Sequence, residues 1–298
     1  MDRSRRLHEF WNWLPAFRAV AETQHLPTAS EQLHVSPSAL SRTIRLLEDN
    51  LGRPLFTRAG RQITLNPDGE AFLAAVRNAM RLIDDGLSEL ADQQMSGPIR
   101  IYAASPVTRA FLTEALCTLA ETHPALVPSL RHVDEAEVPS LLLRGELDVA
   151  FVADESSDVG RLEVHRVGDL AHGIFCGPEH PLAQRDGLAL ETLEEEHFVV
   201  PTPGHAAARY EGWPPEHRRR IAMQVTDLSD AAHAAKDRGW LVVLPIMGAH
   251  RTGLVQVRCD LMTRTRVFAL RRPRNPGHDK AQEVIDTAIA AFRQRAAA

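Results

Sequence analysis

The chain has 298 residues, enough for two or three domains, and carries a formal net charge of −5. Its 44% hydrophobic and 24% charged residues are typical of a globular protein and exclude a chain that is basic throughout, so any contact with nucleic acid must be local. Cys117, Cys176 and Cys259 lie far apart without a CxxC pair, which argues against a zinc knuckle or a disulfide framework. Since no apolar stretch of signal-peptide or membrane-spanning length is found, the expected location is a reducing cytoplasm.

The amino-terminal segment predicts three helices followed by a β-hairpin. Apolar residues recur at helical spacing over residues 9–23, and a second short helix fits residues 28–34. Ser36 is suited to cap the third helix, Pro37 takes its first position, and Gly52 helps to end it. Two short β-like runs follow, which completes the element order of a winged helix-turn-helix.

The third predicted helix has two chemically different faces. One is an apolar stripe that fits burial in a helical bundle: Leu40, Ile44, Leu47 and Leu51. The other carries short hydroxyls and arginines: Ser38, Ser41, Arg42 and Arg45. Residues 1–66 contain nine arginines and six acidic residues, so the net charge of this segment is +3. Since the whole chain carries −5, the net charge of the remainder of the chain is then −8. This asymmetry indicates that the amino-terminal segment is the part that meets phosphate.

Residues 67–93 predict one long helix with a regular apolar seam. Its apolar positions alternate three and four residues apart: Leu73, Val76, Met80, Ile83, Leu87 and Leu90. Such a narrow stripe favours pairing with the same helix of a second chain, so these six residues are the predicted dimer seam. The alternative is an ordinary amphipathic helix that lies on its own domain.

From Ser96 onward, strand-like and helix-like runs alternate. Ten short runs predict strands between residues 99 and 272. Helical patterns fill four stretches among them: 106–121, 135–144, 229–237 and 278–296. The alternation predicts an α/β fold with largely parallel sheets.

The amino-terminal text resembles that of LysR-type transcriptional regulators. The likeness runs from Phe17 to Phe72 and includes "LHVSPSALSR" and "LGRPLFTR". The carboxyl part resembles the effector domain of the family more loosely, through "LLLRGELDVAFV", "HPL" and "GWLVVLP". Three local departures, "HLPTAS", "NPDGE" and "AKDRGW", bear on helix capping and on one ligand-side loop rather than on the fold.

The resemblance implies an α/β protein with three parts. Residues 1–66 would form a winged helix-turn-helix DNA-binding domain, residues 67–95 a dimerising linker helix, and residues 96–298 an effector-binding domain. The last part is similar to a two-lobed periplasmic-binding-protein fold, in which the chain crosses twice between the lobes. Its implied lobes are residues 97–162 with 266–298, and residues 163–265.

By the same resemblance, the third helix enters the major groove of DNA. Arginine donates paired hydrogen bonds to guanine N7 and O6, and serine bonds bases or phosphates. The implied base or backbone contacts are Ser36, Ser38, Ser41 and Arg42, with Pro37 shaping the helix start. Arg45 either contacts phosphate or is solvated, and Arg58 and Arg61 in the wing face phosphate or the minor groove.

A single helix reads only a few base pairs, so the expected partner is a partly palindromic stretch of double-stranded DNA. A homodimer joined through the long helix would read its two half-sites. The resemblance further implies homotetramers that bend DNA.

A small effector is expected in the cleft between the lobes. Strand ends and helix starts supply hydrogen-bond donors there, which favours an anionic ligand. Ser105 and Thr108, at a cap-plus-proline motif, are the leading ligand contacts, and Thr202, His205 and Thr226 are further candidates. For all five, the alternative is helix capping or loop hydrogen bonding. Closure of the lobes on the ligand would shift the protein between DNA-bound states.

Other functions have less support in the sequence. No HExxH, GxSxG, Gly-Lys phosphate loop or Rossmann glycine set occurs, so an enzyme is disfavoured and no catalytic residue, cofactor or metal site is expected. A plain small-molecule-binding protein would need neither the basic segment nor the heptad helix. A thiol-based redox regulator is a further alternative, but Cys176 and Cys259 lie in strand-like text, and all three cysteines are predicted to be small buried residues.

Overall fold

The computed structural model describes residues 3–59, 62–90, 95–153, 160–261, 263–273 and 280–297. Side chains are described at these positions except at 3–9, 58, 59, 62, 81, 82, 84–90, 105 and 109. The chain divides into two compact units, Met1–Leu87 and Ser88–Ala298, each with its own apolar core.

Three helices, a hairpin and a long helix form the amino-terminal part of the chain. Their bounds are α1 (Arg3–Thr23), α2 (Leu26–Leu33), α3 (Pro37–Leu51), β1 (Phe56–Ala59), β2 (Gln62–Leu65) and α4 (Pro67–Leu90). The strands pair antiparallel, with Phe56 opposite Leu65. The predicted element order of a winged helix-turn-helix is therefore confirmed.

One apolar cluster is shared by α1, α3, α4 and the hairpin. Phe17 is fully buried at its centre, with ring centroids 5.6 Å from Phe56 and 5.0 Å from Phe72. Ile44 and Leu47 enter the same cluster from α3 and are fully buried. Burial of one such side chain contributes about 1.5–3 kcal/mol, so the core holds this face of α3 in place and leaves the other face in solvent.

The carboxyl-terminal unit alternates strands with helices. Its strands are β3 (Gly97–Ala103), β4 (Leu126–Arg131), β5 (Val149–Ala153), β6 (Glu163–Cys176), β7 (His197–Pro201), β8 (Arg220–Val225), β9 (Leu241–Pro245), β10 (Val255–Val257) and β11 (Arg264–Arg271). Its α-helices are α5 (Ser105–Val107), α6 (Thr113–Thr122), α7 (Val138–Leu143), α8 (Leu228–Arg238) and α9 (Lys280–Ala297). A π-helical stretch, Thr108–Leu112, joins α5 to α6, and short 3-10 turns include Glu135–Glu137 and Ala206–Tyr210.

The strands of this unit form one mixed sheet in the order β4-β3-β5-β11-β6-β9-β7-β8, with β10 also paired to β6. β6 joins the two halves, because it pairs with β11 up to Ala171 and with β9 and β10 from His172 onward. We call the half with β3, β4, β5 and β11 lobe one, and the half with β7–β10 lobe two. Two of the ten strand-like runs in the sequence, 162–167 and 172–177, are thus parts of one strand, Glu163–Cys176, of 14 residues.

The prediction of largely parallel sheets needs correction. The pairs β3–β4, β3–β5, β7–β8 and β7–β9 are parallel. β6 and β11 pair antiparallel with each other and with their other neighbours. The reason is that β6 leads the chain from lobe one into lobe two and β11 brings it back, so the two strands must run in opposite directions.

Apolar clusters cover both faces of each lobe. In lobe one, α6 and α9 pack on one face of the sheet and α7 packs on the other. In lobe two, α8 lies on the face that continues the same core, and Phe198 and Val243 belong to a separate cluster on the other face. Strands buried on both faces have nearly continuous apolar sequences, which is why they were recognisable. None of the helices in the described ranges has the length and apolarity needed to cross a lipid bilayer.

Candidate functional site

A short turn connects α2 to α3. His34 ends α2 in the left-handed region, with φ 54° and ψ 40°, and its N–H donates to the carbonyl of Glu31. The next N–H, from Val35, donates to the carbonyl of Ser30 at 3.1 Å. These bonds satisfy the last carbonyls of α2, so only residues 34–36 separate it from α3.

The start of α3 is capped as predicted. The Ser36 hydroxyl accepts the N–H of Ala39 at 3.2 Å, and Pro37 stands in the first turn, where its missing N–H costs nothing. The hydroxyls of Ser36 and Ser38 lie 3.1 Å apart. Gly52 ends the helix in the left-handed region, also as predicted. The first turn of α3 therefore presents two linked hydroxyls.

α3 has the two faces that its sequence predicts. The buried face consists of Leu40, Ile44 and Leu47. On the other side, Ser38, Arg42 and Arg45 are exposed, and Ser41 is half-buried. Neither arginine forms an ion pair with another residue in the described part of the chain. Two arginines beside short hydroxyls form a surface suited to guanine edges and phosphate oxygens.

Glu48 ties the end of α3 to the wing. Its Oε1 accepts the N–H of Leu55 at 2.7 Å and the N–H of Phe56 at 3.1 Å, where β1 begins. Hydrogen bonds to a charged acceptor contribute about 1.5–3 kcal/mol each, so the hairpin is held close to α3. Arg58 lies in β1, and Arg61 lies outside the described residues, so DNA contact by these two arginines stays a prediction.

The first half of α4 belongs to the core of the amino-terminal unit. Leu73 and Val76 are buried in the cluster described above, and Met80 is half-buried against it. Nη1 of Arg18 lies 3.8 Å from the Met80 sulfur. Leu73 and Val76, predicted as part of the dimer seam, are instead covered by their own unit, because α4 packs directly on α1 and the hairpin. A partner helix cannot reach them without displacing this core.

The outer part of α4 carries the other residues of the predicted seam. Ile83 is 42% exposed, although it is a large apolar side chain. The side chains of Leu87 and Leu90 lie outside those described. Dimerisation through Met80, Ile83, Leu87 and Leu90 therefore stays a prediction.

The predicted effector contacts lie around the place where the lobes meet. α5, which begins at Ser105, contacts α8 and the 3-10 turn Ala206–Tyr210 of lobe two. Shortly before that turn, Thr202 donates its N–H and its hydroxyl to the carbonyl of Val225, at 2.7 and 3.2 Å. Thr226 is next to Val225, so the fold brings the segments that hold these residues together.

Local hydrogen bonds occupy several of these side chains. The Thr108 hydroxyl donates to the carbonyl of Ala104 at 3.3 Å, and Nδ1 of His205 accepts the N–H of Ala207 at 3.4 Å. Thr226 is exposed, and the side chain of Ser105 is not among those described. These are the bonds of the capping alternative, so ligand contact at the five positions stays a prediction.

One buried carboxylate lies at the same junction. Oε2 of Glu135, in the 3-10 turn after β4, accepts the hydroxyl of Tyr102 at 3.0 Å. Its Oε1 lies 3.1 Å from Nη1 of Arg209, which belongs to lobe two. This ion pair lacks hydrogen-bond geometry, and within the described ranges Oε1 accepts no hydrogen bond. Burial raises the pKa of Glu135 above its ordinary value, and the charges of Arg209 and His205 oppose that rise.

A buried histidine marks the point where β6 passes between the lobes. Nε2 of His172 lies 3.3 Å from the hydroxyl of Thr265, and its Nδ1 lies 3.5 Å from that of Thr263. Thr265 in turn donates to the carbonyl of Arg209 at 2.8 Å. Burial lowers the pKa of His172, so the neutral ring is favoured at the crossover. The crossover thus connects directly to the turn that carries Arg209.

The three cysteines occupy different environments. Cys117 is exposed, which contradicts the prediction that all three are buried, because Leu116 and Leu119 take the core-facing side of α6. Burial raises the pKa of Cys176 to about 11 and also raises that of Cys259. Since the thiolate is the reactive form, these two thiols are poorly suited to redox chemistry at neutral pH. Where the structure describes the chain, no three His, Cys, Asp or Glu side chains are grouped to hold a metal ion.

Two family models match the chain. Residues 11–70 match the bacterial regulatory helix-turn-helix protein, lysR family, and residues 92–293 match the LysR substrate binding domain. The chain belongs to the LysR family of transcriptional regulators. In this LysR-type regulator, α3 is part of the helix-turn-helix DNA-binding domain, and the junction of the lobes is part of the effector-binding domain.

The likeness to LysR-type regulators extends over nearly the whole chain. The HTH-type transcriptional regulator TtuA of Agrobacterium vitis is 25% identical over 299 residues, which cover 95% of this chain and 98% of that protein. Full-length OxyR from Pseudomonas aeruginosa has a TM-score of 0.71 at 18% identity, covering 94% of this chain and 96% of that chain. CbnR complexed with its target DNA has a TM-score of 0.64 at 20% identity, covering 95% and 99%. At these identities, the two solved structures support the fold.

The structure of this LysR-type regulator identifies three residues in or near its functional sites that the sequence patterns did not indicate. Glu48 stood within the matched family text, but its bonds to the hairpin required the fold. Glu135 and Arg209 are far apart in the sequence and belong to no motif, so only the packing of the lobes brings them together. The one available signal for Glu135 was its place just after the carboxyl end of a strand, where ligand sites of α/β sheets lie.

Proposed function

We propose that this LysR-type regulator places α3 in the major groove of a partly palindromic operator. The exposed face of α3, opposite a fully buried stripe, is the observation that carries the proposal. Arg42 supplies paired donors for guanine, while Ser38 and Arg45 contact neighbouring bases or phosphates. Two dimer-related copies of the helix then read two half-sites. Arg58 and Arg61 in the wing add contacts to phosphate or the minor groove.

Gel shifts with the DNA that adjoins the gene of this regulator test the proposal. We expect wild-type protein to prefer that DNA over a scrambled duplex of the same composition at the same salt concentration. Arg42→Ala should weaken the specific complex by about 1–3 kcal/mol and leave the scrambled complex nearly unchanged. Arg144→Ala is the matched control, since Arg144 is an exposed effector-domain arginine paired with Glu146. Equal losses on both duplexes would refute the base contact of Arg42.

We further propose that a small carboxylate binds between the lobes and changes operator binding. Arg209 and His205, on consecutive parts of one lobe-two turn, offer a cationic and a polar group to such an anion. Arg209 suits this role because its side chain is 53% exposed and keeps donors beyond the one directed at Glu135. A ligand held by this turn and by the Ser105 segment would favour the closed lobes. The regulator acts in the cytoplasm and carries out no chemical step.

Thermal-shift measurements on the full-length protein with a panel of small carboxylates test the effector site. At least one carboxylate should raise the transition temperature, since ligand binding to the folded state stabilises it. Arg209→Gln should abolish that rise. Arg251→Gln is the control, because Arg251 also reaches across the lobes, to Glu114 at 3.9 Å, but between two exposed side chains. A rise that survives in Arg209→Gln would show that the anion binds elsewhere.

A further inference from the structure

The two partners of the inter-lobe ion pair differ in burial. The side chain of Glu135 is 8% exposed, whereas that of Arg209 is 53% exposed. An exposed guanidinium that loses its partner is hydrated at little cost, but a buried carboxylate that loses its counter-charge is strongly destabilised. Glu135 therefore depends on Arg209 more than Arg209 depends on Glu135.

Among the described residues, one oxygen of Glu135 is held by an ion pair alone. Tyr102, itself buried, donates to Oε2 and fixes the orientation of the carboxylate. Oε1 accepts no hydrogen bond from the described part of the chain. Buried acceptors in folded proteins are nearly always hydrogen-bonded. Nη1 of Arg209 lies 3.1 Å from Oε1 without hydrogen-bond geometry, so Oε1 keeps its capacity to accept a donor that arrives with a ligand.

A carboxylate ligand without a positive group would bind beside Glu135 at an electrostatic cost. A carboxylate bound by the other donors of Arg209 shares the guanidinium charge with Glu135 and so weakens the ion pair. It also places a second negative charge near Glu135, where Asp134 already adds one. Neighbouring carboxylates disfavour the charged state of one another, and burial makes this repulsion stronger. An anionic effector is therefore accommodated best if it brings a positive group for Glu135.

We infer that the effector carries both a carboxylate and a protonated amine, as an amino acid does. The amine donates to Oε1 of Glu135 on lobe one, and the carboxylate binds Arg209 on lobe two. Such a molecule replaces both halves of the ion pair and leaves neither charge unpaired. Glu135 thus determines specificity for the amine, and Tyr102 is a positioning residue that holds its carboxylate. This inference rests on the carboxylate site proposed above.

Isothermal titration calorimetry on the full-length protein tests the inference with three matched sets of compounds. These are L-amino acids, the 2-hydroxy acids with the same side chains, and the primary amines that lack the carboxylate. An amino acid that binds should bind at least about tenfold more tightly than its hydroxy acid and its amine. Glu135→Gln keeps the size of the side chain but removes its charge, so the preference for the amino acid over the hydroxy acid should fall to about threefold or less.

The control and the second variant separate specificity from stability. Glu137→Gln alters an exposed carboxylate in the same turn and should leave the preference unchanged. Tyr102→Phe frees Oε2, so it should lower the preference for the amine while the hydroxy acid binds as in wild type. If Tyr102 had only a structural role, its substitution would weaken the binding of the amino acid and of the hydroxy acid alike. If Glu135→Gln does not fold, the Tyr102→Phe result decides.

The possible outcomes distinguish this inference from the effector site itself. A hydroxy acid that binds as tightly as its amino acid, or an unchanged preference in Glu135→Gln, overturns the inference and leaves a carboxylate effector in place. An amine that binds as tightly as the amino acid removes the role of the carboxylate. If none of the three sets binds while another small carboxylate raises the transition temperature, the inference is wrong and the effector site stands; if no carboxylate binds in either experiment, both are wrong.

Discussion

Gly69→Ala tests how α4 is joined to the wing. A Cβ at Gly69 would lie 2.1 Å from the carbonyl oxygen of Leu55 and 2.7 Å from Cδ2 of Leu65. Because the first of these atoms is backbone, the helix and the strand must move apart by about 1 Å, at a cost of about 1–3 kcal/mol. The movement also weakens the 2.8 Å bond from the Gly69 N–H to the Asn66 side chain, a loss of about 1 kcal/mol. The higher helix propensity of alanine offsets about 1 kcal/mol, so the net loss is about 1–3 kcal/mol.

Differential scanning calorimetry of the full-length protein measures this loss. For a unit the size of Met1–Leu87, each kcal/mol lowers Tm by about 4–8 °C, so the amino-terminal transition should fall by roughly 10 °C. The transition of the carboxyl-terminal unit should not move. Glu70→Ala, at the exposed next position of the same turn, is the control and should shift Tm by less than about 3 °C. An unchanged or higher amino-terminal Tm in Gly69→Ala would show that the contact with Leu55 is relieved at no cost, and the reasoning would be wrong.

Three further predictions concern single side chains. Glu48→Gln weakens two charge-assisted hydrogen bonds, so it should lower the free energy of unfolding of the amino-terminal unit by about 1–2 kcal/mol. Urea denaturation measures this loss, and Glu31→Gln, at an exposed position, is the control that should not change it. Because burial lowers the folded-state pKa of His172 below its ordinary 6.5, the unfolded chain takes up the proton first, and stability is lost as the pH falls from about 6.5. His172→Gln should therefore lose less stability than wild type between about pH 7.5 and 5.5, and equal losses would contradict this. Iodoacetamide should label Cys117 readily but Cys176 only on unfolding, and fast labelling of folded Cys176 would restore the redox alternative.

The amino-terminal unit was largely predictable because local rules decide most of it. A cap and a proline begin α3, an apolar stripe sets its buried face, and a glycine ends it. Each of these signals acts over one or two helical turns, and Ser36, Pro37 and Gly52 behave as those rules require. The strands of the lobes were recognisable for a related reason, since burial on both faces requires continuous apolar runs.

Tertiary packing decided the features that depend on residues distant in the sequence. The apolar stripe of α4 has one periodicity, yet Leu73 is covered by its own unit while Ile83 is exposed. The sequence predicts two separate strands where β6 lies, because only pairing with β11 and then with β9 shows that the two runs are continuous.

The sequence by itself determined the helix-turn-helix, its arginine-bearing face and the α/β class of the second unit. It did not determine that Glu135 of lobe one meets Arg209 of lobe two, on which the inferred effector chemistry depends. Helix caps and apolar periodicity are local properties that can be read along a chain. Burial of a charge and the identity of its partner arise only when distant segments pack together, so they required the tertiary structure.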